Sequence, residues 1–78
     1  MIKREEKLVI TFHTTTDAMA MERLCREENA EGRIIPLPGS ISADCGLGWC
    51  APVGSKEGLV QLMERHGLRC QGIHICKV

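Results

Sequence analysis

Stretches of strand and helix periodicity follow one another in this chain in the order strand, helix, strand, strand, helix, strand. That order restricts the available topologies more than any other feature. Lys7 to His13 is rich in β-branched residues and alternates Leu8, Ile10 and Phe12 with Val9, Thr11 and His13, the period of a strand with two distinct faces. Thr14, Thr15 and Thr16 then offer a helix N-cap, and Asp17 a favourable first-turn charge. Ala18 to about Asn29 reads as a helix with Ala18, Met21, Leu24 and Cys25 along its apolar stripe, and Gly32 as its stop. Arg33 to Leu37 contributes Ile34 and Ile35 before Pro36 and Pro38 interrupt it. Proline cannot donate to a sheet ladder, so this strand is expected at an edge.

Gly39 to Asp44 reads as a loop. Cys45 to Ala51 alternates Cys45, Leu47 and Trp49 with Gly46, Gly48 and Cys50, a strand that something approaches closely on its glycine face. Pro52 and Gly54 end it. Ser55 is expected to cap a second helix, running through Leu59, Val60, Leu62 and Met63 to His66 and stopped by Gly67. Cys70 to Val78 closes the chain as a strand, with Ile73 and Ile75 on one face and His74 and Cys76 on the other.

Right-handed crossovers and helices on one side turn this order into an α+β, ferredoxin-like βαββαβ sandwich with a four-stranded antiparallel sheet. The first strand lies centrally between the third and fourth, and the second lies at the edge beside the third. No linker or repeat divides the chain, so residues 1–78 are read as a single domain. A chain this short buries only ~60–65% of its unfolded surface, which leaves a thin core.

Ten basic and ten acidic side chains cancel to a formal charge of zero. Nucleic-acid and anionic-membrane binders need a basic excess to release counterions, so neither partner is expected. Phe12 and Trp49 are the only aromatics, which also argues against base-stacking platforms. No apolar run approaches the ~20 residues of a membrane span. No export signal is read at the N-terminus either, because Lys3, Arg4, Glu5, Glu6 and Lys7 precede only six mostly apolar residues. The cytoplasm is therefore the expected compartment.

Five cysteines in 78 residues is the one extreme count, and an odd number cannot close completely into internal disulfides. In a reducing compartment some will be buried apolar side chains and others reactive. The expected topology gathers His13, Thr14, Cys45 and Cys70 at the sheet end that also carries the N-terminus of the first helix. Unpaired N–H groups and the positive dipole end lower a thiol pKa there. Cys45 is thus the candidate nucleophile, with His13, Thr14, Thr15 and Thr16 as candidate activators and Cys70 as a candidate resolving thiol; the bland alternative makes Cys45 a small hydrophobe beside Leu47 and Trp49. Five residues of extended strand put Cys45 and Cys50 ~16 Å apart, too far for a disulfide.

Cys50, His74 and Cys76 are expected toward the other end, partly exposed, and could bind a soft metal. They lack the paired CxxC spacing that marks a zinc site. Met19, Met21 and Met63 read as core or near-core packing, Glu27 and Glu28 as a solvated face, and His66 as a partner of its own helix dipole. With Leu8, Ile10, Phe12, Ile73 and Ile75 facing the helices, the opposite face would show Val9, Thr11, Gly46, Gly48, Cys50, His74, Cys76 and Val78. An exposed apolar face of that kind invites a homodimer through the sheet.

Three segments carry a family likeness: Ile10-Thr-Phe-His-Thr-Thr-Thr-Asp-Ala-Met-Ala-Met-Glu22, Gly32-Arg-Ile-Ile-Pro-Leu-Pro38, and Ser42-Ala-Asp-Cys-Gly-Leu-Gly-Trp49. Together they resemble the selenium/sulfur carrier-like proteins, a family of small prokaryotic domains, over nearly the whole chain. The family pattern has one cysteine followed by Gly-Leu after the proline-containing strand, which here is Cys45. The resemblance implies a carrier that holds sulfur or selenium on that cysteine as a persulfide or selenosulfide; no cofactor is expected, and a carrier protein is expected ahead of an independent enzyme. Its implied partners are chalcogen donor and acceptor proteins. The competing reading is a non-catalytic metal-binding or ligand-sensing module.

Overall fold

The computed structural model describes residues 6–39, 41 and 46–77. The elements are β1 (Glu6–Thr11), α1 (Thr15–Glu27), β2 (Arg33–Pro36), β3 (Leu47–Pro52), a 3-10 turn (Val53–Ser55), α2 (Lys56–His66) and β4 (Gly72–Lys77). The strands form one antiparallel sheet in the order β2-β3-β1-β4. This is the ferredoxin-like arrangement, with the proline-bearing strand at an edge.

Alternation along β1 divides the sheet. Leu8, Ile10 and Phe12 are fully buried with Trp49 and Ala51 of β3 against Ala18, Met21, Leu24 and Cys25 of α1 and Leu59, Leu62 and Met63 of α2. Each such large side chain contributes about 1.5–3 kcal/mol by leaving water. Trp49 keeps its polar edge satisfied, since Nε1–H donates to the Glu31 carbonyl at 3.2 Å. Ile73 packs on the same cluster, while Ile75, at the uncovered β4 edge, is 53% exposed.

The opposite face departs from the sequence reading. Val9, Thr11 and Cys50, expected at the surface there, are 0%, 1% and 8% exposed. Leu37, just past β2, folds back across Gly48. A Cβ on Gly48 would stand 2.6 Å from Leu37 Cδ2 and 3.0 Å from Val9 Cγ1. The close approach expected on the glycine face is therefore made by the chain's own Leu37. Thr11 is buried without penalty because its hydroxyl donates to the Gly72 carbonyl at 3.2 Å. Among the described residues of the strip on which sheet-face dimerisation was expected, Val9, Thr11, Gly48 and Cys50 are thus already buried within one chain, while Gly46 and His74 are exposed.

Several local readings are also corrected. Helix α1 ends at Glu27, before Gly32, because Asn29 takes the left-handed conformation (φ 56). The Ala30 N–H then donates to Cys25 O at 2.8 Å and Asn29 N–H to Arg26 O at 3.4 Å. Asparagine tolerates that conformation, so a glycine is not required. Gly67 (φ 67) does close α2, with Leu68 N–H donating to Met63 O at 2.9 Å. Ser55 makes no side-chain cap, since it already lies in the 3-10 turn entering α2. Met19 is 51% exposed and lies outside the core.

Glu28 and His66 are not independent surface groups. Glu28 Oε1 accepts from Arg65 and its Oε2 meets His66 Nε2 at 2.6 Å, joining the end of α1 to the last turn of α2. The His66 and Arg65 hydrogen bonds hold the Glu28 carboxyl below its usual range.

Candidate functional site

The C-terminal end of β1 organises the first site. β1 gives way to α1 through His13 and Thr14, because Thr14 is extended (φ −135, ψ 156) and its hydroxyl accepts from the Asp17 N–H at 3.1 Å. This cap satisfies one first-turn donor and holds the helix start at the sheet end. The remaining early N–H groups have no partner inside the helix, and the dipole makes this end positive. His13, Thr14, Thr15 and Thr16 are all exposed around it.

The neighbouring strands bring two further segments to the same end. Thr11 pairs with Gly48 of β3 and Gly72 of β4, and the Gln71 N–H donates to Thr11 O at 2.7 Å. Continued two residues past these pairs, the register carries Gly46 toward His13, with Cys70 on the far side of β1. Gly46 is exposed and left-handed (φ 71), and its carbonyl accepts from the Leu37 N–H at 3.0 Å. The residue that turns into β3 is thus tied to the segment leaving β2. Cys45, which adjoins Gly46 in the chain, lies outside the described residues, as do 42–44.

The described cysteines are free thiols in four different settings. Cys25 is buried in the α1 stripe, where burial and then the nearby Glu28 charge push its pKa up to about 11. Cys50 is buried on the sheet face away from the helices and is not the partly exposed residue the sequence suggested. Cys76, half-buried on β4, has its pKa raised by burial first and by Cys50 second. Cys70 is half-buried and packs on the core cluster instead of standing out from the sheet end.

Cys50 and His74 both pair with Val9, from opposite sides, and Cys76 pairs with Lys7 one step further along. Val9 thus stands between the two candidate ligands. Among the described residues no group of three or more His, Cys, Asp or Glu side chains could hold a metal ion. Nor, among those residues, is any helix long and apolar enough to cross a membrane.

Two features escaped the sequence. The Glu28–Arg65–His66 cluster joins residues 37 and 38 positions apart, with no local pattern to announce it. A hollow of about 390 Å³ also opens beside β3, lined in part by Lys7, Arg33, Ile35, Cys50 and Pro52. Alternation assigns these residues to faces, but only strand register makes them neighbours.

The family model described as "Putative Se/S carrier protein-like" matches residues 7–75, from the start of β1 into β4. Comparison with curated proteins and with solved structures gives no match.

Proposed function

Because this chain belongs to the Se/S carrier-like family, we propose that it carries sulfur or selenium on Cys45 and hands it to a partner protein. The observation that carries this reading is the sheet end toward which Gly46 runs: exposed at Gly46 and at His13, and holding the capped N-terminus of α1. A thiolate near such an end is favoured, and so is the anion of a persulfide formed on it. The other thiols add support by contrast. Cys25 and Cys50 are buried, Cys70 packs on the core, and burial raises the pKa of Cys76.

The chemistry is transfer between two-coordinate chalcogens. The Cys45 thiolate attacks the outer sulfur of a donor persulfide, forming a new S–S bond as the donor's S–S bond breaks. The donor leaves as a thiolate, and Cys45 becomes a persulfide. In the second half an acceptor thiolate attacks the outer sulfur on Cys45, whose thiolate is regenerated. No external oxidant or reductant is consumed. The selenium version forms a selenosulfide by the same steps, with His13 and the Thr14 to Thr16 hydroxyls and amides stabilising the terminal anion. The donor and acceptor are proteins presenting their own reactive thiol or selenol.

Incubation of the reduced protein with glutathione persulfide, followed by intact-mass measurement, tests the proposal. Wild type gains one sulfur atom, whereas Cys45→Ser gains none and keeps the wild-type Trp49 emission. Sulfur loading in Cys45→Ser equal to wild type would assign the chemistry to another cysteine.

A further inference from the structure

The two edges of the sheet are built differently. The order β2-β3-β1-β4 puts β2 and β4 outermost. β2 is only four residues long, ends at Pro36, and hands over to Leu37, whose N–H is already bonded to the Gly46 carbonyl. Proline and a short span blunt that edge against further pairing. β4 runs for six residues, Gly72–Lys77, and contains no proline and no acidic side chain. It pairs with β1 along its whole length, from Thr11↔Gly72 to Glu6↔Lys77. Among the described residues no strand lies on its other side, so the N–H and C=O groups directed away from β1 lack a ladder partner there.

The side chains along β4 fit a copy of the same strand. Ile75 is 53% exposed, while Ile73 on the same face packs against the core cluster. Apart from His74, the strand's charge is confined to Lys77 at its last position. Two β4 strands paired antiparallel about a two-fold axis must keep their faces in step, which leaves few registers. An axis at Ile75 or Cys76 sets Lys77 against the partner's Ile73 or the partner's Ile75, charge against apolar surface. An axis at Ile73 brings Lys77 toward the partner's Arg69, like charge against like. An axis at His74 sets Ile73 against the partner's Ile75 and Gly72 against the partner's Cys76. Lys77 then falls just beyond the paired span. The sequence of the edge thus selects one self-complementary register.

We infer that the β4 edge is the interface for a second copy of this chain, which adds its own β4 antiparallel about an axis at His74. Two four-stranded sheets become one continuous sheet. The isoleucines of the two copies leave water against each other, and the outward backbone groups form about four to six hydrogen bonds. Such a contact is smaller than a permanent interface, so the dimer is weak and concentration-dependent. It runs along the sheet edge, not across the face where Val9, Thr11 and Cys50 are buried. Antiparallel pairing sends the two copies' Gly46 and His13 ends to opposite poles of the joined sheet. The inference does not rest on the carrier reading, and sulfur loading on Cys45 neither supports nor weakens it.

Sedimentation velocity of the full chain in reducing buffer, over a roughly hundredfold range of concentration, should show a reversible monomer–dimer equilibrium. Ile75→Lys puts a charge on the exposed edge and should raise the dimer dissociation constant about tenfold or more, with Trp49 emission unchanged. Met19→Lys is the control, because Met19 is 51% exposed on α1, away from β4, and its dimer should match wild type. Isotope-filtered NMR of wild type, mixed from labelled and unlabelled chains, should give intermolecular contacts between Ile73 and Ile75. These contacts decide the matter even where a variant fails to fold. A chain that stays monomeric at the highest concentration would leave the edge to a strand of another protein and overturn the inference. It is equally overturned if Ile75→Lys dimerises like wild type, if Met19→Lys weakens the dimer as much, or if the filtered contacts join other segments.

Discussion

Gly48→Ala tests whether Leu37 closes the sheet face. The added methyl would sit 2.6 Å from Leu37 Cδ2, 3.0 Å from Val9 Cγ1 and 3.2 Å from Ile10 O. Carbon atoms are comfortable at about 3.5–4.0 Å, so at least one neighbour must move. Val9 is fully buried and stiff about χ1, and the Ile10 carbonyl belongs to the central strand. The half-buried Leu37 side chain is the one that gives way. Overpacking of this kind costs about 1–3 kcal/mol. Alanine recovers about 0.5–1 kcal/mol because the unfolded chain loses less freedom on folding.

The net cost is therefore about 0–2.5 kcal/mol, set against about 4–12 kcal/mol of total stability for a chain this long. Urea unfolding followed by emission of Trp49, the chain's single tryptophan, measures it directly. The decisive comparison is a double-mutant cycle with Leu37→Ala. In that background the clash at Cδ2 is gone, and the cost of Gly48→Ala should fall by about 1 kcal/mol. A stabilising Gly48→Ala in the wild-type background, or an effect unchanged by Leu37→Ala, would refute the placement of Leu37 over Gly48.

Other consequences follow from the same packing. Cys25 should resist iodoacetamide at pH 8 until denaturant is added, because its pKa is raised to about 11. Since folding favours the neutral thiol, the stability linked to this group is present below pH 9 and is lost as pH rises toward 11; Cys25→Ala should flatten that alkaline fall in urea titrations. Glu28 has the opposite sign: its carboxyl is lowered by His66 and then Arg65, so its contribution is full above the ordinary carboxylate range and declines as pH falls through it. Glu28→Gln should therefore lose stability relative to wild type at pH 6 and converge with it in acid below the ordinary carboxylate range, and a gap that persists there would point to packing instead of charge. Gly32→Ala should cost about 2–4 kcal/mol by thermal unfolding, because φ +127 strains any side chain and its Cβ would meet Trp49 Nε1 and Cys50 O. Gly39→Ala, which would meet nothing within 4 Å, serves as its neutral control.

Much of the architecture was legible from local pattern, because the signals involved are local. Alternation of Leu8, Ile10 and Phe12 with Val9 and Thr11 marks a strand with two faces, and Pro36 excludes β2 from the sheet centre by removing a donor. Thr14 and Gly67 bound their helices through conformations those residue types adopt readily. The right-handed crossover then converts that element order into one topology. The resemblance around Cys45 was readable for the same reason, as short contiguous segments.

Tertiary structure alone decided what covers each face and who meets whom. Period two predicts that Val9 and Thr11 point away from the helices, but not that both are buried there, with Leu37 returning over Gly48 beside Val9 and the Thr11 hydroxyl bonded to the Gly72 carbonyl. Glu28 read as a solvated charge until the packing of α1 beside α2 brought it to Arg65 and His66. Arg33 and Lys7 look like isolated surface cations 26 positions apart, and only the register of β2 and β1 against β3 puts both beside one hollow. Backbone preferences act over a few residues and leave a periodic trace. Side-chain contacts across the fold form only after loop closure and leave none.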